Sequence, residues 1–158
     1  YAAYGAYEKK QYSLALFYVV TSLGGALFSA FGPRPRLTPP ASAVASSENG
    51  AVFWAGGDAA REAAEAYAAT GGGTTLGQTP AGQNIQTRFG QAEWADLREV
   101  WAEASAAFAS NARGDVHIFV TPEGAANPGN ILNSVELPIL RARQAAGLVF
   151  DIIFHPIQ

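Results

Sequence analysis

"AEWADLREVWAEASAAFASNARGDVHIFV", Ala92 to Val120, decides the class of fold. In its first part Trp94, Leu97, Val100 or Trp101, Ala104 and Phe108 recur at steps of three and four. That spacing puts the apolar side chains on one face of a long amphipathic helix. Its last part, "DVHIFV" (Asp115–Val120), is a short run of β-branched and aromatic residues and predicts a buried strand. Downstream, "TPEGAANPGN" is a loop, "ILNSVELPIL" (Ile131–Leu140) reads as a short strand or strand edge that turns at Pro138, and "GLVFDIIF" (Gly147–Phe154) is a last strand. Upstream, "AVFW" (Ala51–Trp54) is short and apolar. "GGDAAREAAEAYAAT" predicts a helix with Asp58 as N-cap and Gly71–Gly73 as its stop, and "TTLGQTPAGQNIQ" (Thr74–Gln86) a turn followed by a helix. Helices alternating with apolar strands imply an α/β protein. The expected architecture is a helical N-terminal portion followed by a small, mostly parallel sheet lobe with flanking helices.

The division falls near residue 50. Ser13 to Phe31 runs nineteen residues without a charge, and Gly32 to Gly50 is rich in proline and serine, as a linker is. Two readings of 13–31 remain: a helix packed inside the protein, favoured because Gly24-Gly25, two serines and a threonine weaken a spanning segment, and a membrane-active segment. Residues 1–49 are thus expected to form an apolar helical segment and a linker, and 50–158 the functional region. The first residue is Tyr1 and no methionine occurs, which suggests a processed product or a segment of something longer.

Composition removes several classes of function. With 49% hydrophobic and 15% charged residues, the 158-residue chain can bury a substantial core. A net charge of -3 without a basic run offers no footprint for nucleic acid. The absence of cysteine excludes disulfides, thiolate zinc sites and cysteine nucleophiles. His117 and His155 are the only histidines, and no metal-binding motif or phosphate-loop signature surrounds them, so no metal is expected. There is no G-x-S-x-G, and a serine triad would have to recruit a histidine from an apolar strand-like run.

One carboxylate stands apart. Glu136 sits in "GNILNSVELPIL" (Gly129–Leu140), where every neighbour is apolar or small. An ionised carboxylate is costly to bury without a partner, so Glu136 either faces water or has a chemical use. Each tryptophan, taken singly, is read as core, and Trp94 fits a core stripe one helical repeat from Trp101.

Taken in order, five fragments change that reading: "VFW" at 52–54, "TTLGQTPAG" at 74–82, "EVWAEASAAFA" at 99–109, "DVHIFV" at 115–120 and "NSVELPIL" at 133–140. In order and spacing they resemble the ADP-ribosyl cyclase / NAD glycohydrolase family, over roughly residues 50 to 154. The resemblance implies an enzyme that cleaves NAD, as substrate and without a cofactor, to nicotinamide and ADP-ribose, with some cyclic ADP-ribose as a further product. It implies that Glu136 is the catalytic glutamate, which stabilises an oxocarbenium-like centre as nicotinamide leaves. Trp54 and Trp101 match the tryptophans that line the pocket, and Trp101 is grouped with Glu136 as catalytic. Ser105 matches a serine near the diphosphate. Gln78, Thr79, Leu132 and Ser134 complete the substrate-binding set, Gln78 with an amide for recognition and Ser134 with a contact to phosphate.

The chain departs from the family in several places. Gly77-Gln78 stands where the family turn has an acidic pair, Gly56 where an arginine is expected, and the disulfides of the animal members are absent. Loss of the acidic turn favours water over the adenine as the nucleophile that captures the sugar. Two alternatives come from other classes: an inactive relative that binds a nucleotide or a protein, and a membrane-active domain driven by residues 13–31. The setting expected for an NAD-cleaving enzyme of this kind is a secreted or delivered effector or toxin, matched by an inhibitor or immunity protein.

Overall fold

The computed structural model describes residues 41–44, 50–89 and 92–158. The apolar segment 13–31 and most of the linker lie outside the described residues. Part of the linker does not: Ala41–Ala43 form a 3-10 turn, and Val44 beside it is fully buried in the main core.

Among the described residues, four strands form one sheet in the order β2-β1-β3-β4: β1 (Ala51–Ala55), β2 (Thr74–Thr75), β3 (Gly114–Val120) and β4 (Val149–Pro156). Every pairing is parallel, with Ala51 opposite Val116 and Ala55 opposite Val120 at the centre. A parallel sheet is covered on both faces by its crossover helices, which is why its central strands are apolar almost throughout. On one face Phe53, Val116, Ile118 and Val120 pack with Val44, Phe108, Leu132, Leu137 and Leu140. On the other, Val52 and Phe119 meet Ala64 and Ala68. Among the described strands β4 lies at an edge, and Phe150, Ile153 and Phe154 on it are exposed.

The crossovers follow from local chemistry. Helix α1 (Asp58–Tyr67) lays Ala60 and Ala64 against the sheet, both fully buried, and carries an Asp58–Arg61–Glu65 ion-pair ladder. Its N-cap is Gly57, so Asp58 is the first helical residue and not the expected cap. There it favours the positive end of the helix dipole instead. Helix α2 (Pro80–Phe89) begins behind Thr79, whose hydroxyl accepts from the Gly82 N–H at 3.1 Å and donates to the Leu76 carbonyl at 2.7 Å. Helix α3 (Trp94–Asn111) is the predicted amphipathic helix, and buries Ala104, Ser105, Ala107 and Phe108. Phe108 meets Phe53 with ring centroids 5.1 Å apart.

A short helix, α4 (Pro122–Ala126), follows β3. The next element overturns an expectation, because "ILNSVELPIL" is helical and not a strand. Leu132–Glu136 form a single π turn that runs into helix α5 (Leu137–Ala145). Pro138 lies in the first turn of α5, where its missing N–H costs nothing, but it cannot donate to the carbonyl four residues earlier. The chain widens before it, and the Leu137 N–H reaches back five residues to the Leu132 carbonyl. Single π turns of this kind are rare and concentrate at functional sites.

Candidate active site

β1 leads into α1 on one face of the sheet, whereas the chain leaving β3 packs its π turn and α5 on the other. Adjacent parallel strands whose connections diverge leave a crevice beyond their carboxyl ends. Glycines allow the two exits to pass closely. Gly56 has φ +106°, and a Cβ there would lie 1.9 Å from Thr121 Oγ1. A Cβ on Gly124 would lie 2.4 Å from the Ala55 carbonyl oxygen. The Thr121 N–H donates to that Ala55 carbonyl at 3.2 Å, and its hydroxyl donates to the Gly56 carbonyl at 3.2 Å.

A cavity of about 400 Å³ occupies the crevice. Its lining comes from β1 and the Gly56 turn, from Thr75 at the end of β2 with Leu76 and Gly77 after it, from Arg61 and Glu65 of α1, from Gln86 of α2, from Trp94, Trp101 and Ser105 of α3, and from Asn130 to Leu132 and Glu136. Of the eight residues the sequence singled out, the structure brings Trp54, Trp101, Ser105, Leu132 and Glu136 together here.

Gln78, Thr79 and Ser134 are not in the lining. Gln78 Oε1 accepts the Thr75 N–H at 2.9 Å, so this amide closes the turn after β2. Thr79 is buried as the cap of α2, and the exposed Ser134 hydroxyl donates to the Asn130 carbonyl. Each does local backbone work that the sequence alone does not reveal. Trp94 departs from the core stripe expected of it: it is 57% exposed and stands at the cavity, as does Trp54 at 39%. A signal for Trp94 was present, because residues seven apart share a helix face and Trp101 lines the same cavity.

Glu136 is the most deeply buried ionisable side chain among the described lining residues. Only 6% of it is exposed, and burial pushes its carboxyl from the usual 4.5 up to about 7, while a hydrogen bond from the Ser105 hydroxyl pulls the other way. A carboxyl of this kind changes charge near neutrality, as expected of a group set up for chemistry. Among the described residues of the lining Arg61 is the one basic side chain, and it is already held by Glu65 at 3.2 Å. The two histidines stand elsewhere. His117 Nε2 meets Tyr67 Oη at 3.0 Å, and His117 Nδ1 meets His155 Nε2 at 3.0 Å. Neither lines the cavity. Among the described residues no three His, Cys, Asp or Glu side chains are grouped as metal ligands would be.

Taken together, these features define an open parallel α/β protein with a small aromatic cavity and one buried carboxyl at the carboxyl ends of its strands. No known family and no curated protein is matched by the sequence. Solved structures are. A cyclase of Aplysia, crystallised with the substrate NGD and the product cGDPR, superposes with a TM-score of 0.53 at 22% identity, over 70% of this chain and 49% of that one. An ADP ribosyl cyclase complexed with N1-cIDPR gives a TM-score of 0.49 at 19% identity, over 70% of this chain and 64% of that one. Over the matched residues the chain therefore shares the fold of the Aplysia cyclase, and it spans about half the length of that protein.

Proposed function

We propose that this chain is an NAD glycohydrolase. The observation that carries the proposal is a buried carboxyl, Glu136, poised near neutrality in a cavity walled by Trp54, Trp94 and Trp101. NAD carries a flat pyridinium ring, and such a cation is attracted to an indole face, by about 0.5 to 2 kcal/mol per contact. When the bond between the ribose C1′ and the ring nitrogen breaks, its electron pair leaves with nicotinamide and positive charge develops on the sugar. The ionised Glu136 stabilises that charge from a cavity wall that is mostly apolar. Water then adds to C1′ and releases a proton, giving ADP-ribose. Capture by the substrate's own adenine gives cyclic ADP-ribose as a minor product, since neither Gly77 nor Gln78 restores an acidic group to the turn. The fold shared with the Aplysia cyclase supports this chemistry, as do the five sequence fragments.

Uncontrolled cleavage of NAD would harm the cell that makes the enzyme. A secreted or delivered effector, restrained at home by an inhibitor protein, is the setting we propose for it.

The test is to incubate the purified protein with NAD, resolve the products by chromatography, and run Glu136→Gln beside it. Nicotinamide and ADP-ribose are expected, falling by about a hundred- to a thousandfold in the variant. Cyclic ADP-ribose as the main product would overturn the choice of water. Folded protein that releases no nicotinamide would overturn the enzyme and favour a relative that only binds.

A further inference from the structure

The open side of β4 is complementary to itself. β4 lies at an edge among the described strands, and Phe150, Ile153 and Phe154 on it are exposed. It carries no lysine or arginine, the residues that ordinarily keep a second strand off such an edge. The pairing with β3 fixes where its backbone groups point. The Ile157 N–H donates to the Val120 carbonyl at 2.9 Å, and successive residues of a strand present their N–H and C=O groups to opposite sides. Ile153 and His155 therefore bond towards β3, whereas Ile152, Phe154 and Pro156 turn their groups to the open side. The irregularity in the β3–β4 register falls before the Val116–Ile152 pair, so this stretch runs in step. At Phe150 the carbonyl already has a donor, because Gln144 Nε2 of α5 reaches it at 3.1 Å.

We propose that a second copy of this chain pairs with β4, antiparallel about a two-fold axis at Ile153, and joins two four-stranded sheets into one. Three features select that register. Ile152 of one copy falls opposite Phe154 of the other, where both present N–H and C=O groups and exchange hydrogen bonds. Pro156, which has no N–H to give, falls opposite Phe150, whose carbonyl has its donor already. Asp151 falls opposite His155 of the second copy. Asp151 is exposed and has no hydrogen-bond or ionic partner among the described residues. His155 meets His117 Nδ1 through its Nε2 at 3.0 Å, which leaves its Nδ1 for the carboxylate. Complementary side chains directly across an antiparallel pair stabilise it. Moving the axis to Phe154 would set the Ile152 carbonyl against the proline, and moving it to Ile152 would set Asp151 against Ile153. An isologous contact of this kind closes as a dimer. Among the described residues none of β4 lines the cavity, so the contact is independent of the chemistry there.

The test is made on the full chain. Sedimentation equilibrium over a range of concentrations should show monomer and dimer. The chain has no cysteine, so single cysteines report the register. Across the axis, the Ile153 Cα atoms form a non-hydrogen-bonded pair about 4.5 Å apart, within reach of a disulfide. The two copies of Phe150 stand about 20 Å apart along the strands. Oxidation should therefore link Ile153→Cys into a covalent dimer and leave Phe150→Cys unlinked. Asp151→Arg and His155→Asp should each weaken the dimer by about tenfold, because each sets like or unmatched charges across both symmetric pairs. Mixing the two variants should restore it, since each Asp151 or its replacement then faces an opposite charge. Melting curves check that the variants are folded, and the cysteine pair leaves the packing of His155 untouched. Wild type that stays monomeric at every concentration overturns the proposal. So does a dimer in which Ile153→Cys stays unlinked, in which Phe150→Cys links as readily, or whose folded charge variants are not restored by mixing.

Discussion

Replacing Glu136 by Gln should make the protein more stable at neutral and alkaline pH. Burial raises the carboxyl from its usual 4.5 to about 7, against the hydrogen bond from Ser105. The folded state therefore holds a proton that the unfolded chain has already released between those two values. Stability is fully present below the unfolded value, falls as pH rises, and is lost by the time pH has passed the folded value. At about 1.36 kcal/mol per pKa unit, the cost at pH 8 is at most about 3.4 kcal/mol. Gln fills nearly the same volume, accepts the Ser105 hydroxyl through its carbonyl and carries no charge to desolvate. The variant should match wild type near pH 4 and exceed it by about 2 to 3 kcal/mol at pH 8. Urea unfolding of both proteins across that range measures the difference directly, and all other titrating groups cancel in it. A difference independent of pH, or one that shrinks as pH rises, would refute the claim that Glu136 is buried at the cost of its charge.

Two further outcomes follow from the same geometry. If ionised Glu136 is the active form, kcat/KM for NAD should rise with pH around an apparent pKa near 7, and the kcat profile should lie lower because a bound pyridinium favours the carboxylate. A pH–rate series on wild type checks this, and activity that falls through pH 7 would mean the protonated form is required. Gly56→Ala should destabilise by about 3 kcal/mol or more, since φ is +106° and the new methyl would collide with Thr121 Oγ1; thermal melting reads the loss.

Much of the sheet was legible because its central strands are apolar on both faces, so "AVFW" and "DVHIFV" were conspicuous against alanine-rich helices. Helix α3 was legible from its period. The stretch holding Glu136 misled for a physical reason. Ile131, Val135 and Ile139 favour strands locally, and Pro138 suggested a turn, but Leu132, Glu136, Leu137 and Leu140 are the residues that become buried. Their spacing is helical, and packing against the sheet decided the matter over local preference. Of the cavity lining, Glu136, Trp54 and Trp101 were singled out in advance by the lone carboxylate and the ordered fragments, whereas Trp94 was read as core. Gln78 and Thr79 could not be told from lining residues in advance, because their bonds to the backbone of Thr75 and Leu76 show only once the turn after β2 is built.

The π turn and the raised proton affinity of Glu136 are two sides of one arrangement. Pro138 cannot complete an ordinary helical turn from its place at the head of α5, so the backbone widens one turn earlier. That wide turn holds Glu136 and Leu132 in the buried layer beneath α3, where Ser105 reaches the carboxyl. A regular turn would rotate these residues relative to α5 and move the carboxyl away from either the serine or the cavity. The burial that makes the group expensive to ionise is also what would make its charge effective once a cation arrives, because a carboxylate acts more strongly on a pyridinium or a developing oxocarbenium where water is scarce. A surface glutamate would cost the fold nothing and offer the sugar little. The stability lost at pH 8 and the rate gained there are therefore expected to have one origin, and a variant that exposes Glu136 to water should reduce both together.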